Sequence, residues 1–196
     1  VIIADNFSNS NVGILDRIKL ITNNDLTFYQ IDVTNQAEVN KIFQSHEIDG
    51  VIHLAGYKAV GESVEKPLNY YYNNVVSTIV LAKTCIQHNV KRFVFSSSST
   101  VYGENTVPFV ETMPLSPATN PYGETKVMCE KILTDIAKAN PNFSVSILRY
   151  FNPVGAHESG LIGEMPNGTP NNIMPYITKV ASGKLQKVNI YGNDYP

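Results

Sequence analysis

Short apolar runs rich in β-branched residues alternate along this chain with segments whose apolar residues recur at helical spacing. This alternation predicts a parallel sheet, because parallel neighbours need long crossover connections, which are usually helices. The apolar runs are continuous, which is typical of strands buried on both faces of a doubly wound sheet. The sequence therefore predicts an α/β fold with a Rossmann-like, doubly wound parallel sheet.

The elements predicted from these patterns fall mainly within the first 150 residues. Strands are predicted at residues 1–4, 27–31, 50–54, 92–96 and 144–150. Helices are predicted at residues 12–21, 36–45, 68–88, 122–139 and 172–182. Beyond Tyr150 the chain becomes rich in Gly, Pro and Asn. We therefore assign residues 1–150 to one Rossmann-like domain and residues 151–196 to the start of a smaller substrate-binding region.

Size and charge exclude several classes of function. The 196 residues suffice for one large core but are few for two. A formal net charge of -2 gives no reason to expect nucleic acid or an anionic membrane as a partner, and no apolar run is long enough to span a bilayer. Cys85 and Cys129 lie among apolar neighbours, which predicts buried, reduced thiols in a cytoplasmic protein. The histidines are scattered, and we predict no metal site.

The two ends of the chain predict a fragment of a longer protein. Val1 stands inside an apolar run with no initiator methionine, and residues 191–196 are turn-like with no closing element. The glycine-rich loop of a dinucleotide-binding domain belongs one strand and one helix before Val1. The first strand, that loop and the first helix are therefore expected to be missing.

Tyr122 and Lys126 open the longest clear amphipathic pattern in the sequence. Pro121 suits the first turn of a helix, so the two residues are predicted one turn apart on the same helical face. A phenol ordinarily titrates near pH 10, and a neighbouring ammonium favours the phenolate and lowers that pKa. The pair is a candidate base for a sugar or alcohol hydroxyl, although an exposed surface pair has the same spacing.

Polar or small residues follow several predicted strands, where doubly wound folds bind their ligands. Asp5 could hold the ribose hydroxyls of a dinucleotide and Asp32 an adenine amino group, but either carboxylate could instead organise a turn. Gly56 fits a close approach of the backbone to a flat ligand, or a tight turn. Of Asn73 and Asn74, within a predicted helix, one could face the sheet and bond a cofactor, although most such asparagines are solvated.

A run of serines, residues 96–99, follows the fourth predicted strand. Such a run is often a flexible, hydrogen-bonding loop. Here it begins where the strand ends, so the hydroxyl of Ser98 is a candidate to bridge a substrate oxygen and the Tyr122 phenol.

Five stretches together resemble the extended short-chain dehydrogenase/reductase family, and in particular its nucleotide-sugar epimerases. They span almost the whole chain in the order that the family has, which makes the series more specific than any single motif. The stretches are AGYKAVGES (55–63), FSSSSTVYG (95–103), PYGETK (121–126), LRYFNPVGAH (148–157) and PNNIMPY (170–176).

The resemblance implies an enzyme that keeps NAD bound and interconverts UDP-galactose and UDP-glucose, inverting the C4 hydroxyl through a 4-keto sugar. It implies that Tyr122 is the acid/base, that Lys126 holds the phenolate and the nicotinamide ribose, and that Ser98 supplies the catalytic hydroxyl. The positions that match NAD-binding residues are Asp5, Asn6, Phe7, Ser8, Asn9, Ser10, Asp32, Val33, Leu54, Ala55, Gly56, Lys58, Asn73, Ser98, Tyr122, Lys126 and Phe151. The positions that match UDP-sugar-binding residues are Lys58, Ser98, Tyr122, Asn152, Asn172, Asn189, Ile190 and Tyr191.

The resemblance also implies a homodimer formed through the helices predicted at residues 68–88 and 122–139. The apolar residues of these helices could equally all lie in the core. An arginine that the family places on the UDP diphosphate belongs beyond Pro196, so the implied activity is that of the longer protein.

Three alternatives remain open at the level of sequence. A 4,6-dehydratase needs an additional acid and base, usually Asp-Glu, where this chain has Ser99 and Thr100. An epimerase of uronic or N-acetylated sugars would share every motif. A non-catalytic NAD-binding sensor has no use for Ser98, Tyr122 and Lys126 together, so their joint presence favours an enzyme.

Overall fold

A computed structural model describes residues 1–164, 170, 172–190 and 192–194. The chain separates into two compact units. The larger unit comprises Ile3–Asn6 and Phe28–Phe151, and the smaller unit comprises Val1–Ile2, Phe7–Thr27 and the described part of Asn152–Pro196. The larger unit holds the three residues predicted to be catalytic.

Five strands form two hydrogen-bonded sheets. Strands β1 (Ile2–Asp5) and β2 (Thr27–Gln30) pair with each other. Strands β3 (Val51–His53), β4 (Arg92–Ser98) and β5 (Ser144–Tyr150) form a parallel sheet with β4 in the centre. The doubly wound strand order 3-2-1-4-5-6 has one further strand between these two groups, and no strand of the described residues takes that position. The parallel, Rossmann-like α/β class is confirmed.

Seven α-helices accompany these strands in the described residues. They are α1 (Ile14–Thr22), α2 (Gln36–Ser45), α3 (Val60–Glu65), α4 (Pro67–Tyr70), α5 (Ser77–Gln87), α6 (Pro121–Ala139) and α7 (Ile173–Ala181). A π-helical turn, Tyr71–Val76, joins α4 to α5, and a 3-10 turn, Ser99–Tyr102, follows β4. The short helix α3 and the π-helical turn were not predicted, and β4 runs two residues further than expected, to Ser98.

The core of the larger unit lies between one face of the three-stranded sheet and the helices α5 and α6. Phe93 and Phe95 of β4 are fully buried there, together with Leu133 of α6. The expectation that the strands are buried on both faces is wrong for this chain, since Ile52 and Leu54 are 69% and 66% exposed. The physical reason is that α5 and α6 both lie on the opposite face.

The smaller unit contains α1 and α7. Arg17 of α1 donates a hydrogen bond to the main-chain oxygen of Leu161 at 3.4 Å. Asn172 stands just before α7 and donates to Glu164 Oε1 at 3.0 Å. No helix in the described ranges is long and apolar enough to cross a membrane.

Candidate active site

Helix α6 begins at a position that its sequence defines. The side chain of Asn120 accepts a hydrogen bond from the backbone N–H of Gly123 at 2.9 Å, and Pro121 occupies the first turn, where an N–H is not needed. Gly123 brings this turn close to the end of β4, because a Cβ at Gly123 would lie only 3.4 Å from Cβ of Thr100. Tyr122 is thereby held at the carboxyl end of the sheet.

Tyr122 and Ser98 lie side by side, and their side-chain contact lowers the pKa of Tyr122. Ser98 ends β4, is buried, and accepts a hydrogen bond from the backbone N–H of Thr100 at 3.3 Å, which caps the 3-10 turn. The end of the serine run is therefore ordered, with Ser98 beside the phenol. Two of the predicted catalytic residues meet in the structure.

Lys126 lies one turn further along α6 and is buried. Its Nζ donates a hydrogen bond to the main-chain oxygen of Ser96 at 2.7 Å and lies 4.9 Å from the centre of the Phe95 ring. The distance from Nζ to the centre of the Tyr122 ring is 5.8 Å. Burial lowers the pKa of Lys126 to about 8, because the charged ammonium loses hydration.

The pKa of Tyr122 departs from the expected direction. Burial raises this pKa above its ordinary value, and the hydrogen bond with Ser98 offsets the rise only in part. We expected Lys126 to lower it. In the structure the ammonium is directed to the carbonyl of Ser96 instead, so it does not contact the phenol oxygen as a hydrogen-bond donor.

The turn after β3 is fixed by the buried amide of Asn74, one of the two adjacent asparagines that the sequence pointed out. Oδ1 of Asn74 accepts from the backbone N–H of Tyr57 at 2.8 Å, and its Nδ2 donates to the Tyr57 oxygen at 3.0 Å and to Thr125 Oγ1 at 3.1 Å. Asn73, the predicted residue, donates to Asn74 Oδ1 at 3.0 Å. The π-helical turn that carries both amides is a feature often found at functional sites.

Gly56 sits in this turn with φ +153°, a backbone conformation that favours glycine. A Cβ there would lie 3.2 Å from Asn74 Oδ1 and 3.9 Å from Nζ of Lys126. The end of β3 is thus brought beside Lys126 without a side chain between them. Leu54, Ala55 and Lys58, which flank Gly56, are exposed.

The ends of β1 and β2 form a separate polar corner of the larger unit. Asn6 donates to Asp32 Oδ2 at 3.2 Å, while Asp32 Oδ1 accepts from the N–H and the hydroxyl of Thr34 at 2.9 and 2.7 Å. Burial pushes the pKa of Asp32 upward, but these hydrogen bonds outweigh it and lower the pKa. Asp32 therefore organises a turn, as one of its two interpretations stated, and Asp5 and Val33 beside it are half-buried.

The other predicted residues are more scattered. Phe151 ends the larger unit, with its ring 62% exposed and 6.2 Å from that of Phe109. In the smaller unit Phe7 is half-buried with φ 55°, and Asn172 is half-buried. The remaining residues in that unit are exposed, namely Ser8, Asn9, Ser10, Asn152, Asn189 and Ile190. Tyr191 lies outside the described residues.

Cys85 and Cys129 are both buried free thiols, as predicted. No group of His, Cys, Asp or Glu in the described part of the chain could hold a metal ion.

A buried ion pair near the site was missed altogether. Glu130 of α6 and Arg149 of β5 pair with an N–O distance of 2.8 Å. The sequence does carry a signal for the carboxylate, since Tyr122, Lys126 and Glu130 repeat every four residues and so share one helical face. Its partner on β5 could not be inferred from spacing.

Comparisons with known proteins agree with this fold. The chain belongs to the NAD dependent epimerase/dehydratase family, whose sequence profile matches residues 1–196. It is 54% identical over 197 residues to a UDP-glucose 4-epimerase of Neisseria meningitidis and 53% identical to one of Bacillus subtilis. Both matches cover 100% of this chain and 58% of the relative, so the chain spans little more than half the length of these proteins.

Solved structures of such enzymes are closely similar. A UDP-glucose 4-epimerase of Bifidobacterium longum, in complex with NAD+ and UDP, superposes with a TM-score of 0.94 at 50% identity, over 98% of this chain and 58% of that one. One from Stenotrophomonas maltophila, with NAD and formylated UDP-arabinopyranose, gives a TM-score of 0.95 at 44% identity, over 100% of this chain and 58% of that one.

Proposed function

We propose that the full-length protein carrying this chain is an isomerase with resident NAD that inverts the C4 hydroxyl of a UDP-hexose and so interconverts UDP-galactose and UDP-glucose. The observation that carries the proposal is that Tyr122, at the start of α6, lies beside Ser98, at the end of β4, with the Lys126 ammonium buried one helical turn away. This arrangement stands at the carboxyl end of a parallel sheet, where such folds bind ligands. A UDP-glucose 4-epimerase with 54% identity to this chain supports the reaction class.

The residues present fit a dinucleotide. Gly56 presents bare backbone beside Lys126, and a side chain there would fill the space above Nζ. Asp5 ends β1, where a carboxylate suits ribose hydroxyls. When bound, NAD supplies the group that takes a hydride from C4 and returns it.

Residues of this chain carry out the proton transfer. We assign Tyr122 to take the proton of the 4-hydroxyl and to return it, with the Ser98 hydroxyl bridging the phenol and the substrate oxygen. Because burial raises the pKa of Tyr122, the phenol needs a nearby positive charge to act near neutral pH. Lys126 is the cation that the larger unit offers, with Nζ 5.8 Å from the ring centre.

The test is conversion of UDP-galactose to UDP-glucose by the full-length protein with no NAD added, beside Tyr122→Phe. We expect turnover by the natural protein and a loss of about 100-fold or more in kcat in the variant, which still binds NAD. Tyr29→Phe is the matched control, because the Tyr29 hydroxyl bonds His46 rather than the site. Undiminished turnover by Tyr122→Phe would contradict the mechanism.

The same assay separates the alternatives. No turnover of UDP-galactose, but turnover of a UDP-N-acetylhexosamine or a UDP-uronic acid, would indicate an epimerase of another nucleotide sugar. Release of water with loss of the C6 hydroxyl would indicate a dehydratase. NAD recovered from the denatured protein without any sugar chemistry would indicate a sensor.

A homodimer is the assembly that we propose for the full-length protein. An apolar stripe on α4, the π-helical turn and α5 is open to solvent, with Leu68 and Tyr72 81% and 64% exposed. Ile79 and Ile86 of α5 are seven residues apart, a spacing suited to helix pairing with a second copy, and exposed Tyr72 lies in the π-helical turn before them. Sedimentation should give a dimer for the natural protein and a monomer for Ile79→Glu. Lys41→Glu, an exposed position on α2 outside this stripe, is the control.

We also propose a cytoplasmic location, which the free, buried thiols Cys85 and Cys129 support. The proposed reaction draws on nucleotide sugars and NAD, which the cytoplasm contains. Labelling of both thiols in protein denatured directly from cells, without a reductant, would test this location. A disulfide-linked pair would contradict it.

A further inference from the structure

Side chains from three successive turns of α6 contact three successive residues at the end of β4. Tyr122 lies beside Ser98, and Lys126 Nζ donates a hydrogen bond to the Ser96 oxygen. Two turns beyond Tyr122, Glu130 Oε1 accepts from the Ser97 hydroxyl at 2.5 Å. The third contact differs from the other two because it involves a buried carboxylate, that of Glu130, which the proposed reaction does not use.

Both oxygens of Glu130 are occupied. Oε1 accepts from Arg149 Nε at 3.0 Å in addition to the Ser97 hydroxyl, and Oε2 accepts from Arg149 Nη2 at 2.8 Å. A two-pronged pairing of this kind fixes the orientation of both planar groups. The Glu130 side chain therefore cannot slide along β4 without breaking several charge-assisted hydrogen bonds.

Arg149 reaches in the other direction to the turn that follows Ser98. Its guanidinium lies 4.9 Å from the centre of the Tyr102 ring, and Nη1 donates to the Glu111 oxygen at 3.3 Å. Tyr102 ends the 3-10 turn that Ser98 caps by accepting from the N–H of Thr100. One ion pair thus touches both the helix that carries Tyr122 and the turn that follows Ser98.

We propose that Glu130 and Arg149 are positioning residues that fix the register of α6 against β4 and so hold the Tyr122 phenol at the Ser98 hydroxyl. The inference rests on the proposed function for its catalytic consequence, but the geometry that it assigns is independent of the substrate. Glu130 lies eight residues from Tyr122, a rise of roughly 12 Å along the helix, so it acts through the helix rather than on reacting atoms. A misplacement of about 1 Å at a reacting group can cost about 100-fold in rate.

The first test compares Ser97→Ala, Arg149→Lys and Glu130→Gln with the natural full-length protein. Ser97→Ala removes one hydrogen bond and leaves the ion pair. Arg149→Lys keeps the positive charge but loses the two-pronged hydrogen bonding to Glu130. We expect kcat to fall about tenfold or more in Arg149→Lys and Glu130→Gln and less in Ser97→Ala, with KM for UDP-galactose changed less than about twofold.

The second readout is the titration of Tyr122, which a merely structural role would not move. Since the hydrogen bond with Ser98 lowers the pKa of Tyr122, loosening that contact should raise it. We expect the ultraviolet titration of the phenolate, taken as the difference from Tyr122→Phe in each background, to shift to higher pH in Arg149→Lys and Glu130→Gln. The acidic limb of the kcat profile should move the same way.

The control is Asp135→Asn, which breaks the exposed ion pair between Lys131 and Asp135 on the same helix. It should change neither kcat nor the titration. An unchanged Tyr122 titration in the Glu130 and Arg149 variants, with activity lost only in proportion to unfolded protein, would overturn the inference. If a single variant fails to fold, Ser97→Ala and the uncharged double variant Glu130→Gln/Arg149→Gln still report the titration.

Failure of the proposed function is recognised separately. If the natural protein does not turn over UDP-galactose, the proposed reaction is wrong, and the titration of Tyr122 without any sugar still decides the positioning role.

Discussion

Nζ of Lys126 lies 2.7 Å from the main-chain oxygen of Ser96, a residue of β4, and 5.8 Å from the centre of the Tyr122 ring. The ammonium is therefore anchored to the strand rather than to the phenol that it is expected to assist. It is also buried, which makes its charge costly and brings its pKa to about 8. The effect on stability follows from that pKa.

Lys126 should make the stability of the nucleotide-free full-length protein rise with pH above 8. Between its folded pKa of about 8 and the ordinary value of 10.5, the unfolded chain holds the proton and the folded protein does not. The free energy of unfolding should therefore increase by about 3 kcal/mol across this interval, a rise that Lys126→Met lacks. Urea unfolding at pH 7 to 10 measures it, and Lys138→Met, at an exposed position of α6, should behave as the natural protein.

His53 should weaken the protein in acid. It is buried, with Nε2 3.1 Å from Thr78 Oγ1, and burial together with the charge of Lys126 lowers its pKa to about 3. In the unfolded chain His53 binds a proton near pH 6.5, whereas in the folded protein it stays neutral at that pH. The free energy of unfolding therefore decreases as the pH falls below 6.5. From pH 6.5 to 4.5 the loss should be about 2 kcal/mol greater than in His53→Gln. An equal slope in both proteins would refute this, and exposed His157→Gln is the control.

Gly56→Ala should destabilise the full-length protein by about 1 to 3 kcal/mol and weaken NAD binding. The residue has φ +153°, and the new methyl would lie 3.2 Å from Asn74 Oδ1. Gly61→Ala in α3 is the matched control, because a Cβ there meets nothing within 4 Å and alanine favours a helix by up to about 1 kcal/mol. Denaturant unfolding of both variants should therefore give opposite signs.

Asn74→Ala should cost about 2 to 4 kcal/mol, because it leaves the backbone groups of Tyr57 and the Thr125 hydroxyl without their amide partner. Asn69→Ala, at an exposed position of α4, should stay within about 0.5 kcal/mol of the natural protein. A loss below 1 kcal/mol in Asn74→Ala, measured by urea unfolding, would indicate that water replaces the amide.

Helices and strands can be predicted from the sequence where local interactions determine their ends. The cap of Asn120 on α6 and that of Asn35 on α2, whose side chain accepts from the N–H groups of Ala37 and Glu38, can be anticipated from residue type and spacing. The end of β4 cannot. Ser97 and Ser98 belong to the strand because they pair with Arg149 and Tyr150 of β5, a strand that begins more than forty residues later.

Prediction of the site is limited because its contacts join residues that are far apart in the sequence. Spacing placed Tyr122 and Lys126 on one helical face, but not the carbonyl that receives the ammonium or the burial that raises the pKa of the phenol. Asn74 reads as an ordinary helical asparagine until the turn after β3 is packed against it. The catalytic and ligand-binding roles of the predicted residues stay predictions that the experiments above decide.

The π-helical turn Tyr71–Val76 holds one residue more than an α-helical turn of the same span. Asn74 lies within this turn and Thr78 just after it, and both are buried. Removing one residue here would leave a regular α-helical turn, so α5 could keep its phase and Thr78 its place beside His53. The cost of such a deletion would instead fall on Asn74 and its hydrogen bonds to the backbone of Tyr57.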